Sequence, residues 1–181
     1  CRNLTQDADE KTKYKALCAE ITEGLLKKLP KTFEANYVKY FQDGLSMKND
    51  KYLMKAESIS PGDRRLYDDL MVLHYKNNDA EKFKEIATKM YDDNEFAPSM
   101  LSWGYNVLTE LDSNAIILVA GDNDTFTLWI TQQAKGIRPD VTVINTSLIC
   151  LPVFRDPIFE KLGIEAVEGE TKQEDKAALY S

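Results

Sequence analysis

The sequence is poor in the residues from which metal sites and nucleophilic active sites are usually built. Its 181 residues include one histidine, His74, and three cysteines, Cys1, Cys18 and Cys150. No two cysteines have the C-x-x-C spacing of a zinc or redox site. Zinc sites made of Cys and His are therefore excluded, and a Ser-His-Asp mechanism would have to use His74. We expect Cys18 and Cys150 to be small buried side chains.

Positive charge and long apolar runs are also scarce. Thirty acidic residues oppose 23 Lys and Arg residues, which gives a net charge of −7. Without a basic stripe the chain is poorly suited to neutralise a phosphate backbone, so we expect no nucleic-acid partner. The longest apolar run, residues 115–120, is far shorter than the roughly 20 residues that cross a bilayer.

The first residue is a cysteine, and the polar stretch RNLTQDADEK follows it. This start resembles a bacterial lipoprotein after its signal peptide has been cleaved. The resemblance implies a lipid on Cys1, a flexible tether over residues 1–10, and a location on the periplasmic or surface side of a bacterial membrane. Attachment to the membrane would then occur only through the lipid anchor.

From residue 11 to residue 111 the apolar residues recur with helical spacing. We expect Asp79 to cap one helix and Pro98 to lie in the first turn of another. His74 lies on an apolar face, where a histidine is usually a core residue. The apolar faces that we expect to be buried are Tyr14, Leu17, Cys18, Ile21 and Leu25 in the first helix, Tyr37, Tyr40 and Phe41 in the second, and Phe83, Ile86, Ala87, Met90 and Tyr91 after Asp79.

Residues 66–94 within this region resemble one tetratricopeptide unit, a pair of antiparallel helices joined by a short polar turn. Solenoids need about three such repeats to stack, and the sequence offers one plausible unit. A generic helical bundle is the alternative interpretation of the same pattern.

The periodicity changes at residue 112. Residues 115–120 and 141–148 predict two fully buried strands, and residues 125–135 between them predict a helix, so the strands should be parallel. A helix at 156–162 and a short strand at 164–167 follow, and residues 169–181 form a charged tail. The predicted fold class is α+α/β, with the helical N-terminal half (11–111) packed on a small βαβ(αβ) parallel-sheet module (112–168).

Polar residues follow the first predicted strand and lie at the end of the second. Parallel strands end at the same edge of a sheet, where open α/β folds bind ligands, so we expect these side chains to meet. Their oxygens suit Mg²⁺ or Ca²⁺, with Asp122 and Asp124 as the metal ligands. A structural alternative is that an Asp or Asn simply caps the following helix. The candidate ligand-binding residues are Asp122, Asn123, Asp124, Asn145, Thr146 and Ser147.

The motif D-N-D-T after a buried strand resembles the first motif of haloacid-dehalogenase-like phosphotransferases. That resemblance implies that Asp122 is a nucleophile and Asp124 an acid/base, with magnesium between them. The chain departs from the pattern because Ala120 and Gly121 intervene before the acids, and because no downstream lysine with an acidic pair follows in the required context.

The longer run GDNDTFTLWITQQAKGIRPDVTVINTSLI resembles a segment of bacterial membrane proteins with a domain of unknown function, described as protein O-mannosyltransferase-like. Thr127 stands where that pattern has a proline, and Ile130 where it has an aromatic residue. The resemblance implies an envelope setting and a related βαβ module. The glycosyl-transfer chemistry of that family belongs to a multi-span membrane portion that has no counterpart in these 181 residues. The matching positions are Gly121, Asp122, Asn123, Asp124, Thr125, Phe126, Leu128, Trp129, Gln132, Gly136, Arg138, Asp140, Val141, Val143, Asn145, Ser147 and Leu148.

These observations predict a lipid-anchored cell-envelope protein that acts as a binding or adaptor module. Its polar site would be the GDNDT stretch, and its partner an envelope protein or a small ligand. The alternative is a metal-dependent hydrolase or phosphotransferase that uses Asp122 and Asp124. We favour binding over catalysis, because the multi-span portion to which that family's chemistry belongs is not part of the resemblance.

Overall fold

The computed structural model describes residues 7–42 and 49–165, which contain eight α-helices and two β-strands. The chain divides into two compact units, with the boundary between Asp69 and Leu70. The elements are α1 (Ala8–Lys28), α2 (Phe33–Gln42), α3 (Asp50–Ile59), α4 (Tyr67–Lys76), α5 (Ala80–Asp92), α6 (Pro98–Glu110), β1 (Ile116–Val119), α7 (Asp122–Lys135), β2 (Thr142–Asn145) and α8 (Pro152–Leu162).

The first unit is built around α2, which packs against α1 and α3. The α1 helix begins where the Asp7 carboxylate accepts the backbone N–H groups of Asp9 and Glu10. A short 3-10 turn at Arg64–Leu66 leads into α4. The Asp69 carboxylate then accepts the hydroxyls of Tyr37 and Tyr40 at 3.3 and 3.2 Å. The buried apolar side chains of this unit are Phe33, Ala35, Tyr40, Leu53, Ala56, Leu66 and Tyr67.

Two of the predicted apolar faces in this unit are wrong. In α1, Leu17 and Ile21 are 48% and 60% exposed, and Thr22 is the residue of this helix that is buried. In α2, Tyr40 is buried as expected, but Phe41 is 52% exposed. Helical spacing shows which residues share a face, but it does not show whether a neighbouring element covers that face.

The second unit has α7 at its centre, with α5 and α6 packed against it. The predicted start of α5 is confirmed, because the Asp79 carboxylate accepts the N–H of Lys82. Pro98 lies in the first turn of α6, also as predicted. The indole of Trp129 is buried between the rings of Phe83 and Phe126, with centroids at 5.3 and 5.8 Å. The buried side chains of α5 are Phe83, Ile86, Ala87 and Met90.

A close approach of two backbones fixes α6 against α7. A Cβ atom at Gly104 would lie 2.8 Å from Thr127 Cγ2 and 3.2 Å from the Thr127 carbonyl oxygen. A larger residue at position 104 would therefore force the two helices apart.

The two strands form a parallel pair, with Ile116 opposite Thr142 and Val119 opposite Asn145. The structure thus confirms a mostly helical chain with a small parallel sheet. The prediction that the first strand is fully buried is wrong, because Ile116 and Leu118 are 47% and 65% exposed whereas Val119 is buried. Successive side chains of a strand point to opposite faces, so Ile116 and Leu118 lie on the same face of β1, and this face is exposed. In folds with buried parallel sheets a second layer covers such a face.

Past the sheet, α8 begins at Pro152, four residues before the predicted start, and ends at Gly163 in the left-handed conformation. Ile164 and Glu165 have no regular secondary structure. The rest of the predicted third strand, the charged tail and Cys1 with the tether up to residue 6 lie outside the described residues. None of the described helices is both long enough and apolar enough to cross a bilayer.

The expectation of buried cysteines is wrong for Cys150 and is not met by Cys18. The Cys150 side chain is exposed, and its Sγ donates to the Thr146 carbonyl oxygen at 3.3 Å. Cys18 is half-buried in α1. His74 is buried, as predicted, with its Nδ1 3.8 Å from Asp79 Oδ2.

Candidate functional site at the start of α7

The GDNDT stretch begins a helix directly. Gly121 is the N-cap of α7, with φ 83° and ψ 165°, a conformation that favours glycine. Its carbonyl oxygen accepts the Thr125 hydroxyl at 2.7 Å and the Thr125 N–H at 3.3 Å. Asp122 and Asp124 are consequently the first and third residues of the helix, whereas the sequence predicted them in the loop before it.

Neither aspartate caps the helix. The N-cap is a glycine without a side chain, and no side-chain hydrogen bond caps the free N–H groups of this end. The prediction that one of the acids caps the helix is therefore wrong, whereas both acids lie in the first turn, where the positive end of the helix favours them. Asp122, Asn123 and Asp124 are all exposed, and the two carboxylates have no hydrogen bond or ion pair to any described residue. We call residues 122–124 the acidic turn.

Asn145 has a different role from the one predicted. It is 4% exposed, and its Nδ2 donates to the Thr125 hydroxyl at 2.8 Å. Its Oδ1 accepts the N–H groups of Ser147 and Leu148 at 2.8 and 3.0 Å. Both ends of this amide are therefore used to hold the end of β2 against the first turn of α7. Asn145 therefore stabilises the start of α7, on which the acidic turn lies, and is not available to a ligand.

The other two polar residues at the end of β2 are exposed. The backbone N–H of Thr146 donates to the Val119 carbonyl oxygen at 2.9 Å and continues the pairing of the strands, while both side chains of Thr146 and Ser147 stay at the surface. Asn145 is joined to the two residues that flank the acidic turn, through its bonds to the Gly121 carbonyl oxygen and the Thr125 hydroxyl.

A metal site at this edge stays a prediction. Within residues 7–42 and 49–165 no three His, Cys, Asp or Glu side chains lie close enough together to hold a metal ion. Asp122 and Asp124 would have to bind Mg²⁺ or Ca²⁺ with water and backbone oxygens as the remaining ligands. The phosphotransferase mechanism depends on the same two residues and stays a prediction as well.

Sequence reasoning missed a depression beside the acidic turn. It has a volume of about 210 Å³ and is lined by Ser99, Met100, Trp103, Asp124 and Thr127. Trp103 is 42% exposed, which is unusual for so large an apolar side chain. The sequence offered no local signal for it, because the hollow depends on how α6 approaches α7. We call this hollow the Trp103 depression.

The opposite end of α7 is held by a network centred on Arg138. Its guanidinium donates to the carbonyl oxygens of Leu108, Leu111 and Asp112 at 2.7–3.0 Å, and to both oxygens of Asp140 at 2.9 Å. Asp140 also accepts the N–H of Asn114. These hydrogen bonds, the one from Arg138 first, hold the pKa of Asp140 well below its ordinary value. We call residues 136–140 the Arg138 turn.

Gln132 completes this network from within α7. Its Nε2 donates to the carbonyl oxygens of Arg138 and Val141 at 2.8 and 2.9 Å. Gly136 ends the helix in the left-handed conformation with φ 66°. Structural roles therefore account for four of the matching positions in the GDNDTFTLWITQQAKGIRPDVTVINTSLI run, namely Gln132, Gly136, Arg138 and Asp140.

Residues 100–159 match the family model of TMEM260-associated domain 2, over about a third of the chain. The matched range runs from α6 into α8 and includes the acidic turn, Trp103 and the Arg138 turn. No curated protein and no solved structure shows significant similarity to the chain. The resemblance to O-mannosyltransferase-like membrane proteins stays a prediction.

Proposed function

We propose that the second compact unit is a binding module, and that its acidic turn together with the Trp103 depression takes a basic side chain of a partner protein. One observation carries this proposal. Two exposed carboxylates without a partner among the described residues, Asp122 and Asp124, lie in the first turn of α7, and Asp124 lines the same shallow hollow as the exposed indole of Trp103.

The chemistry of this surface suits arginine or lysine. The carboxylate of Asp124 can pair with the cation, and the face of Trp103 can attract the same cation through its π electrons. The methylene groups of the incoming side chain would cover Met100 and the indole. Trp and Arg are also the residues that contribute most to protein interfaces. Because the pair would be exposed, salt should weaken the binding.

The start of a helix usually attracts anions, because its free N–H groups and macrodipole are positive. Two carboxylates in the first turn reverse this preference and repel phosphates, sulfates and carboxylates. The acidic turn thus argues against a nucleotide or sugar phosphate bound directly at this end and supports a cationic ligand.

Crosslinking tests this proposal directly. Benzoylphenylalanine at Ser99, which lines the depression, should crosslink a partner segment that contains Arg or Lys, and the crosslink should disappear in the Asp122→Asn, Asp124→Asn double variant. The same group at Thr109, an exposed residue near the other end of α6, serves as the control. A crosslink that persists in the double variant, or a captured segment without a basic residue, would contradict the proposal.

The lipid anchor and the envelope location stay predictions that rest on Cys1 and the polar stretch after it. Mass spectrometry of the natively expressed protein tests them, since an unmodified Cys1 thiol would contradict lipidation. The finer fold prediction, a βαβ(αβ) module, is also kept as a proposal. Hydrogen exchange that shows protected amides at residues 164–167 would support its third strand, and unprotected amides there would contradict it.

A further inference from the structure

A second cavity lies away from the acidic turn, beside the C-terminal half of α7. It has a volume of about 210 Å³ and is bounded by the end of α4, the start of α5, α7, the start of β2 and α8. Four aromatic side chains line it, Tyr75, Phe83, Trp129 and Phe154. The Tyr75 ring lies 4.4 Å from Trp129, 5.5 Å from Phe83 and 6.3 Å from Phe154, centroid to centroid. We call this cavity the aromatic cleft.

The polar wall of the cleft includes the side chain of Gln132, which is 7% exposed. Its two amide N–H groups donate to the carbonyl oxygens of Arg138 and Val141, and these two hydrogen bonds hold the side chain in one orientation. The Oε1 atom accepts no hydrogen bond from a described residue, yet solvent still reaches it. This oxygen is therefore a fixed, unused acceptor on a residue of the cleft. The other lining residues include aromatic and aliphatic side chains as well as the charged Lys76, Asp79 and Lys161.

Tyr75, which also lines the cleft, carries a second unused polar group, its hydroxyl. It makes no hydrogen bond to any residue in the described part of the chain. Burial raises the pKa of Tyr75 to about 12, so the hydroxyl keeps its proton at neutral pH and can donate it. Neither group has a hydrogen-bond partner among the described residues, so a ligand in the cleft can pair with both in place of water.

We infer that the aromatic cleft binds a small planar heteroaromatic molecule whose edge gives one N–H to Gln132 Oε1 and accepts one hydrogen bond from the Tyr75 hydroxyl. This is the hydrogen-bonding pattern on the edge of a purine or pyrimidine base. The cavity is smaller than the roughly 300–1,000 Å³ of drug-sized sites, so a ring system without large substituents fits it. The inference is independent of the acidic turn, which lies at the other end of α7.

Three bicyclic probes of nearly equal size test the inference on the wild-type protein. Benzimidazole offers both an N–H donor and a ring-nitrogen acceptor, 1-methylbenzimidazole lacks the donor, and indole lacks the acceptor. In a ¹⁵N-labelled sample, benzimidazole should shift the Gln132 side-chain amide and the Trp129 indole N–H. It should bind about fivefold more tightly than either analogue, the effect of one net hydrogen bond. Equal affinities of the three probes, or no shifts at Gln132 and Trp129, would overturn the inference.

A single substitution tests the tyrosine separately. Tyr75→Phe keeps the ring packing and removes the hydroxyl, so benzimidazole should bind about fivefold more weakly while the affinity for indole stays the same. Tyr105→Phe is the matched control, because this half-exposed tyrosine lies outside the cleft and its hydroxyl should not affect binding. An unchanged benzimidazole affinity in a folded Tyr75→Phe protein would overturn the role of the hydroxyl. If that variant does not fold, the comparison of the three probes on the wild type decides.

Discussion

The two ends of α7 carry acidic side chains that are used in opposite ways. At the N-terminal end, Asp122 and Asp124 are exposed and have no partner among the described residues. At the C-terminal end, Asp140 accepts hydrogen bonds from Arg138 and Asn114. The same residue type therefore stabilises a turn at one end and has no hydrogen bond to a described residue at the other. We therefore base the proposed function on hydrogen-bond use and not on residue type.

The largest effect should come from Asn145, the support beneath the acidic turn. Asn145→Ala leaves the N–H groups of Ser147 and Leu148 without their acceptor and removes the donor to the Thr125 hydroxyl oxygen. It should lower the free energy of unfolding by about 2–3 kcal/mol. Urea denaturation measures the change. Thr146→Ala, at the exposed neighbouring position, should stay within about 0.5 kcal/mol. Similar small effects of both variants would show that the Asn145 network is not structural.

The next effect should come from Arg138 at the opposite end. Arg138→Ala removes the donors to three carbonyl oxygens and to Asp140, so the Tm should fall. Water can reach this turn and replace part of the network. The decrease in Tm should therefore be smaller than the decrease in Tm caused by Asn145→Ala. Arg155→Ala, which removes an exposed pair with Asp156, is the control and should leave the Tm almost unchanged. Equal Tm values for the two arginine variants would contradict the role of the Arg138 turn.

Acid should reveal the same difference between the two ends. The pKa of Asp140 is lower in the folded protein than its ordinary value of 3.8, so its contribution to stability is present above that pH and is lost as the pH falls below it. Asp140→Asn should accordingly lose stability at pH 7 and show a weaker dependence on pH below 4. The Tm of both proteins between pH 2 and pH 7 gives the comparison. Parallel curves would mean that Asp140 does not contribute to acid unfolding.

The smallest effect on stability should come from the acidic turn. Exposed acids in the first turn of a helix gain only a weak interaction with its macrodipole, so the Asp122→Asn, Asp124→Asn variant should lose less than about 1 kcal/mol. Urea denaturation tests this in parallel with Asn145→Ala. A loss as large as that of Asn145→Ala would assign the two acids to the fold and leave little reason to regard them as a binding surface.

Local signals in the sequence predicted several elements correctly. Asp79 caps α5, the apolar spacing after it identifies the buried face, and Pro98 begins α6. The strand–helix–strand order around α7 followed from the change in periodicity. These features depend on neighbours within a few residues of the chain, which the sequence displays directly.

The failed predictions concern contacts between distant segments. The sequence shows that Leu17 and Ile21 share a face, but whether another element covers that face depends on packing. It shows that Asn145 is polar and at a strand end, but its hydrogen bonds to Thr125 and Leu148 require the folded arrangement. The Trp103 depression was missed for the same reason, because α6 approaches α7 through the contact of Gly104 with Thr127.

The central claim is that the acidic turn and Trp103 form a surface for a basic partner. It is tested most directly by titrating ¹⁵N-labelled protein with acetylated tetra-arginine amide. The matched control is Asp9→Asn, Glu10→Gln, which removes two exposed acids from the first turn of another helix and changes the net charge equally. The account predicts shifts at residues 122–127 and at the Trp103 indole, which Asp122→Asn, Asp124→Asn abolishes and the control retains. Equal binding to both double variants would show attraction by net charge alone and would contradict the claim.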